Sequence, residues 1–174
     1  MEYIGAKAFE TELYKDCILN LASNSIFSTC KTEEDIRKKF ENETNKLLQT
    51  IGAIPSNEYI TFLSEVGTSN GRRIDSKYKN IIIEYKKYKR LSSDKDHKDA
   101  IEQLSDYLND DQFIGKSVYG ILFDGNTMEI YHKDEHGVFA IPNKKINGVI
   151  SFKNLDFYLK QHFLVTKRKF LRIV

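Results

Sequence analysis

The chain has no tryptophan, only two prolines, two cysteines and two methionines among 174 residues, and no run approaching the roughly 18 apolar residues of a membrane span. Each scarcity narrows the field. Little proline, no glycine period and no internal repeat disfavour collagen-like, solenoid and disordered architectures. Cys17 and Cys30 have neither metal-ligand spacing nor a His-rich neighbourhood, and two thiols in a lysine-rich chain suit a reducing compartment. His97, His132, His136 and His162 also lack ligand spacing, so none is assigned to a metal. The opening MEYIGAKAFETELY carries acids where a secretion signal carries bases. A cytoplasmic protein without a membrane partner is therefore expected. The net charge of +2 supports no global argument for a polyanionic partner.

What is present is enough for one core. A 40% hydrophobic share with 10 Tyr and 11 Phe can fill the interior of one domain spanning residues 1–174. The most informative stretch is Gly71 to Arg90, GRRIDSKYKNIIIEYKKYKR. Two β-branched and aromatic runs flank Lys79-Asn80, the pattern of a hairpin with a two-residue turn. That turn sets the register: Tyr78 faces Ile81, Lys77 faces Ile82, Ser76 faces Ile83, and Asp75 faces Glu84. Like charges directly opposed on a ladder repel, so two carboxylates there call for a positive group between them. Alternation puts Lys86 on the face of Glu84, while Ile81, Ile83 and Tyr85 point to the other side, toward the core. A divalent cation and a lysine would together neutralise the pair. Eight bases, Arg72, Arg73, Lys77, Lys79, Lys86, Lys87, Lys89 and Arg90, surround the two acids. A polyanion meeting a metal site would find this arrangement.

Around the hairpin the chain alternates helical and extended patterns. Residues 6–22 read as a helix carrying Ala8, Leu13, Cys17, Ile18 and Leu21. A second helix starts at Thr32, where Asp35 three residues on makes a capping box, and Gly52 closes it before Pro55. Ile36, Phe40, Leu47 and Ile51 share one face, with Glu43 on that face and Glu33 near its edge. Glu58 to Val66 reads as a strand leading through Thr68-Ser69-Asn70-Gly71 into the hairpin. A third helix, 97–108, sets Ala100, Ile101, Leu104 and Leu108 on one face, with Gln103 and Tyr107 neighbours four apart. Val118 to Phe123 is a strand buried on both faces. Asp124-Gly125-Asn126 turns into a hairpin of 127–132 and 138–141. A last helix covers 151–164, with Ser151 as N-cap. The tail, 166–174, alternates bases with apolar residues and ends on LRIV without a cap or polar tail, which fits the N-terminal part of a longer chain. The expected class is α/β, an αβββαβ core with a mixed central sheet flanked by helices, plus a C-terminal hairpin and helix.

Ile74-Asp75, then eight residues, then Glu84-Tyr85-Lys86 resembles the signature of the PD-(D/E)XK nucleases, with Ile74 at the variable position that gives the motif its proline. Gln103-Leu-Ser-Asp-Tyr107 resembles the QxxxY helix motif of the subset that includes recombination exonucleases and the nuclease domains of type I restriction enzymes. The run GRRID, IIIEYK, AIEQLSDY, GILFDG is similar to the N-terminal nuclease segment of single-chain restriction-modification proteins. The resemblance covers about residues 32–132 and implies a restriction-endonuclease-like core.

It also implies a Mg²⁺-dependent DNA endonuclease of a restriction or phage-defence system, with Mn²⁺ able to substitute. Asp75, Glu84 and the backbone carbonyl of Tyr85 would be ligands, joined by a glutamate of the preceding helix, Glu43 or Glu33, with Glu41 competing. Lys86 would activate water or stabilise the phosphate, oriented by Gln103 and Tyr107. Arg72, Arg73, Lys87, Lys89 and Arg90 would hold DNA phosphates without reading sequence. A homodimer, or fused or associated helicase, methyltransferase or specificity modules, would complete such a system. The alternatives are a catalytically silent nucleic-acid-binding domain of the same fold and a nuclease directed at RNA.

Overall fold

The computed structural model describes residues 4–23, 25–140 and 154–160. Its centre is a six-stranded mixed sheet in the spatial order β1 (Leu63–Gly67), β2 (Arg73–Tyr78), β3 (Ile81–Tyr85), β4 (Val118–Phe123), β5 (Met128–Asp134), β6 (Gly137–Ala140). All neighbours are antiparallel except β3 and β4, which run parallel because α3 (Asp94–Leu108) crosses between them. Helix α1 (Glu12–Leu21) and helix α2 (Glu33–Thr50) precede the sheet, and helical residues 154–160 follow it. The architecture is α/β with helices packed against the sheet, as the alternation of patterns predicts.

Two buried clusters lie on the two faces of the sheet. One joins Ile36, Phe40, Leu47 and Leu48 of α2 to Ile81, Ile83, Tyr85, Ile121 and Phe123, with Tyr14, Ile18 and Tyr158 behind. Its centre is aromatic: Phe40 packs within 4.5 Å of Phe123 and 5.2 Å of Tyr158, centroid to centroid. The other cluster sets Ala100, Leu104, Tyr107 and Leu108 of α3 on Ile74, Ile82, Val118 and Leu122. Gly120 of β4 lets α3 come close, since a Cβ there would stand 3.0 Å from Leu104 and Leu108.

Local signals account for most boundaries. The capping box forms as expected, with Asp35 N donating to Thr32 Oγ1 at 3.0 Å and Thr32 N to Asp35 Oδ2 at 2.9 Å. Gly52 takes φ +73° just past α2, and Ala53 N returns to Leu48 O. The first expected helix is instead divided: a 3-10 turn, Gly5–Glu10, ends at Thr11, whose extended backbone and side chain start α1 by accepting from Tyr14 N. β-branched Thr caps better than it propagates a helix. Helix α3 begins three residues before the expected start, at Asp94 after Ser93, with Asp94 and Asp96 in its first turn favouring the dipole. The expected Ser151 cap and the tail lie outside the described residues.

One departure has a long-range cause. The strand expected from Glu58 begins only at Leu63. Ile60 is bonded by the buried side chain of Asn45 on α2: Ile60 N donates to Asn45 Oδ1 at 2.7 Å, and Asn45 Nδ2 donates to Ile60 O at 3.2 Å. Gln49 Nε2 likewise donates to Glu58 O at 2.7 Å. An amide side chain offering one donor and one acceptor occupies backbone groups that a partner strand would otherwise hold.

Candidate active site

The hairpin forms in the expected register from its turn inward: Tyr78 opposite Ile81, Lys77 opposite Ile82, Ser76 opposite Ile83. Lys79 accepts φ +55° to make the turn, and Tyr119 N donates to Asn80 O at 2.8 Å to dock it on β4. The ladder between β2 and β3 then stops. Ser76 Oγ reaches Glu41 Oε1 on α2 at 2.5 Å, whereas Ile74 is buried in the cluster beneath α3. Alternation would put Ser76 and Ile74 on one face, so the strand twists sharply between them, at Asp75. The direct Asp75–Glu84 ladder pair expected from the register is replaced by a side-chain bond: Tyr85 N donates to Asp75 Oδ2 at 2.8 Å. In a continued antiparallel ladder that N–H would serve the carbonyl of Ile74.

Glu84 remains on the α3 side and is only 2% exposed. Its Oε1 accepts from Lys86 Nζ at 2.5 Å, and its buried Oε2 has no hydrogen-bond partner among the described residues. Lys86 Nζ also donates to Gln103 Oε1 at 2.9 Å, and Gln103 Nε2 donates to Tyr107 OH at 2.6 Å. A single chain of bonds thus runs Glu84, Lys86, Gln103, Tyr107. The backbone of Lys86 is itself fixed, its N–H donating to Phe123 O at 2.9 Å. Helix α3 and the residues just after it are tied to the β1–β2 connection by the Arg72–Asp106 ion pair and by Asp110 Oδ2, which accepts from Ser69 N and Oγ at 2.7 and 2.6 Å.

Burial sets the charge state. Desolvation, followed by repulsion from Asp75, pushes the Glu84 carboxyl up to about 8, against the opposing pull of Lys86. Asp75 is also raised by burial, held back by the Tyr85 N–H and Lys86 and pushed further by Glu33. The Tyr107 hydroxyl is raised by burial, with Glu84 and Asp75 adding to the shift and the Gln103 bond opposing it.

Asp75 opens to a cavity of about 190 Å³ lined by Glu33, Glu34, Arg37, Glu65, Asp75 and Tyr85. Of the three α2 glutamates expected to compete for the metal, Glu33, Glu41 and Glu43, Glu33 is the one at this wall. Glu41 is half-buried on Ser76, its carboxyl raised by desolvation, and Glu43 stands 4.0 Å from Lys46 farther along the helix. Among the described residues no three acidic, histidine or cysteine side chains converge closely enough to hold a metal by themselves. The donor set that is present consists of oxygens, and its buried Glu84 Oε2 accepts no hydrogen bond among the described residues. Two carboxylates with water completing the shell suit Mg²⁺.

The basic residues are less free than composition suggests. Arg73 pairs with Glu65 at 2.8 Å and Arg90 with Asp96 at 2.7 Å, as Arg72 does with Asp106. Lys87 is exposed, and Lys89 lies 5.4 Å above the ring of Tyr88. Sequence reasoning missed Arg37, Glu34 and Glu65. Glu65 stands opposite Asp75 in the observed β1–β2 register, which pairs Ser64 with Ser76 and Val66 with Ile74. Glu65 takes φ +51°, a left-handed conformation inside a strand. Such strain in a non-glycine residue costs about 1–3 kcal/mol and persists where surrounding contacts impose it. Here it coincides with the twist at Asp75.

In comparisons with protein-family models, curated proteins and solved structures, nothing matches this chain. Among the described residues no helix is long and apolar enough to cross a membrane.

Proposed function

We propose that the chain is a Mg²⁺-dependent nuclease that hydrolyses DNA phosphodiester bonds in the manner of the PD-(D/E)XK enzymes. The observation that carries this reading is the Glu84–Lys86–Gln103–Tyr107 chain beside Asp75, buried at Glu84 and Tyr107 and half-buried between them. It places an acid with an unpartnered oxygen next to an oriented ammonium. A solvated salt-bridging face needs neither the burial nor the Gln103 and Tyr107 relay; a hydrolytic site benefits from both, because fixed donors act more strongly out of water.

In this reading Asp75 and Glu84 bind the cation, with the carbonyl of Tyr85 and Glu33 as further oxygen donors. The bound ion would supply charge neutralisation at the phosphoryl oxygens and a more acidic water. Lys86 would direct its ammonium at the attacking water or at a phosphoryl oxygen. Gln103 Oε1 fixes the direction of that ammonium, and Tyr107 accepts from Gln103 Nε2 to prevent the amide from rotating. Lys87 and Lys89, exposed on the chain after β3, hold backbone phosphates.

The test uses purified protein with plasmid DNA and with single-stranded RNA, in Mg²⁺ or Mn²⁺ against EDTA, alongside Asp75→Ala and Lys86→Ala. Metal-dependent cleavage lost in both variants is expected. Cleavage at equal rates in wild type and both variants would exclude this site, and cleavage confined to RNA would reassign the substrate. A second readout is the melting temperature: millimolar Mg²⁺ should raise it in wild type and not in Glu84→Gln, since an ion that binds only the folded state stabilises it.

A further inference from the structure

We infer that Arg37 is a substrate-binding residue of this site, the guanidinium that receives a nucleic-acid phosphate in the cavity between α2 and the hairpin. The inference rests on the nuclease reading above. Apart from Tyr85 and Arg37, the cavity is walled by carboxylates: Glu33, Glu34, Glu65 and Asp75. Such a wall repels a phosphodiester unless a cation faces it. Lys86 does not line this cavity; its ammonium is engaged by Glu84 and Gln103 on the α3 side. The nearby Arg73 is drawn to Glu65. Arg37 is the cationic group in the lining, near enough to Asp75 to oppose the rise of its carboxyl.

Its geometry suits the task. The side chain is 17% exposed, flanked in sequence by the fully buried Ile36 and, one turn on, Phe40, so α2 presents it from an anchored stretch. Glu34 accepts from Nε at 2.8 Å and from Nη2 at 2.7 Å, a fork-to-fork pair that fixes the plane of the guanidinium. No hydrogen bond from Nη1 is made among the described residues, and Glu41 and Tyr85 act on the guanidinium only electrostatically, at a distance. A planar guanidinium aligned on one edge and open on the other matches a phosphate better than a lysine ammonium would. Lys38, also on Glu34 at 3.1 Å, keeps that carboxylate neutralised if Arg37 turns to substrate.

The experiment is fluorescence-anisotropy titration of a short labelled DNA duplex, and of one of its strands alone, with the full chain in EDTA over a range of salt. Wild type, Arg37→Gln and Arg37→Lys are compared, with Lys15→Ala as a surface-charge control on α1. Arg37→Gln should weaken binding about tenfold and reduce the slope of log K against log salt by about 0.9 on duplex or ~0.7 on single strand, one phosphate contact. Arg37→Lys should restore the slope and only part of the affinity, and Lys15→Ala should change neither. Should Arg37→Gln fail to fold by circular dichroism, Arg37→Met, which retains the aliphatic stem, reads the same slope. Wild-type affinity and slope in the neutral variants would overturn the role of Arg37 and leave the nuclease reading standing. Absence of any binding by wild type would also overturn the role of Arg37, while the nuclease reading stands or falls on the metal-dependent cleavage assay.

Discussion

Removing the charge of Glu84 tests the electrostatics of the site most directly. Its carboxyl is pushed from an ordinary 4.5 to about 8, first by burial and then by Asp75. A proton is therefore held by the folded chain and released by the unfolded one between those two values. By linkage, stability falls as pH rises through that window, by at most about 1.4 kcal/mol per pH interval and about 5 kcal/mol in total. The stabilising contribution is complete below 4.5 and lost by about 8. Asp75, whose carboxyl is also raised by burial, adds a slope of the same sign above its ordinary 3.8.

Urea unfolding of wild type and Glu84→Gln in EDTA, at intervals from about pH 5 to 8.5, isolates the Glu84 part as the difference between two curves. The variant should be flatter, and near pH 8 it should match or exceed wild type because it has no buried charge to form. Saturating Mg²⁺ at pH 8 should restore wild type, by about 2.7 kcal/mol at a hundred times the dissociation constant, and leave the variant unchanged. Parallel curves for the two proteins would refute the proposed proton linkage and with it the buried, charge-strained site.

Three further outcomes are expected. Tyr107→Phe removes the hydroxyl that accepts from Gln103 Nε2, so the proposed nuclease rate should fall about tenfold with stability changed by roughly 1 kcal/mol or less, measured by single-turnover cleavage and urea unfolding. Asn45→Ala should cost about 2–4 kcal/mol, since it leaves both buried backbone groups of Ile60 unpaired; a loss below ~1 kcal/mol in urea unfolding would contradict that role. Gly125 takes φ +77°, and an added Cβ would meet Phe27 Cβ at 2.6 Å, so Gly125→Ala should lower stability by about 2–4 kcal/mol, seen as a fall in melting temperature.

Much of the fold was legible because its signals are short-range. The Thr32 capping box, the Gly52 stop, the Lys79-Asn80 turn and the apolar run of β4 each occupy a few consecutive residues, and the structure shows all of them. The start of β1 was not, because Asn45 competes for the Ile60 backbone from fifteen residues away. No local preference of EYITFL could announce that competitor. Thr11 divided the first helix because a cap and an ordinary helical position look alike when only apolar spacing is counted.

The candidate site divides along the same line. Sequence alone determined that Glu84 and Lys86 share a face and that Gln103 and Tyr107 form one strip of a helix, since these follow from strand and helix periods; its expectation that Asp75 faces Glu84 in the ladder did not hold. Tertiary structure decided that α3 lays Gln103 on Lys86, that the twist at Asp75 replaces a ladder pair with the Tyr85 N–H bond, and that Glu33 rather than Glu41 or Glu43 lines the cavity with Arg37, Glu34 and Glu65. The reason is physical: periodicity fixes which side chains lie together on one element, but which elements meet, and how a strand twists where they do, depends on packing two cores against opposite faces of one sheet.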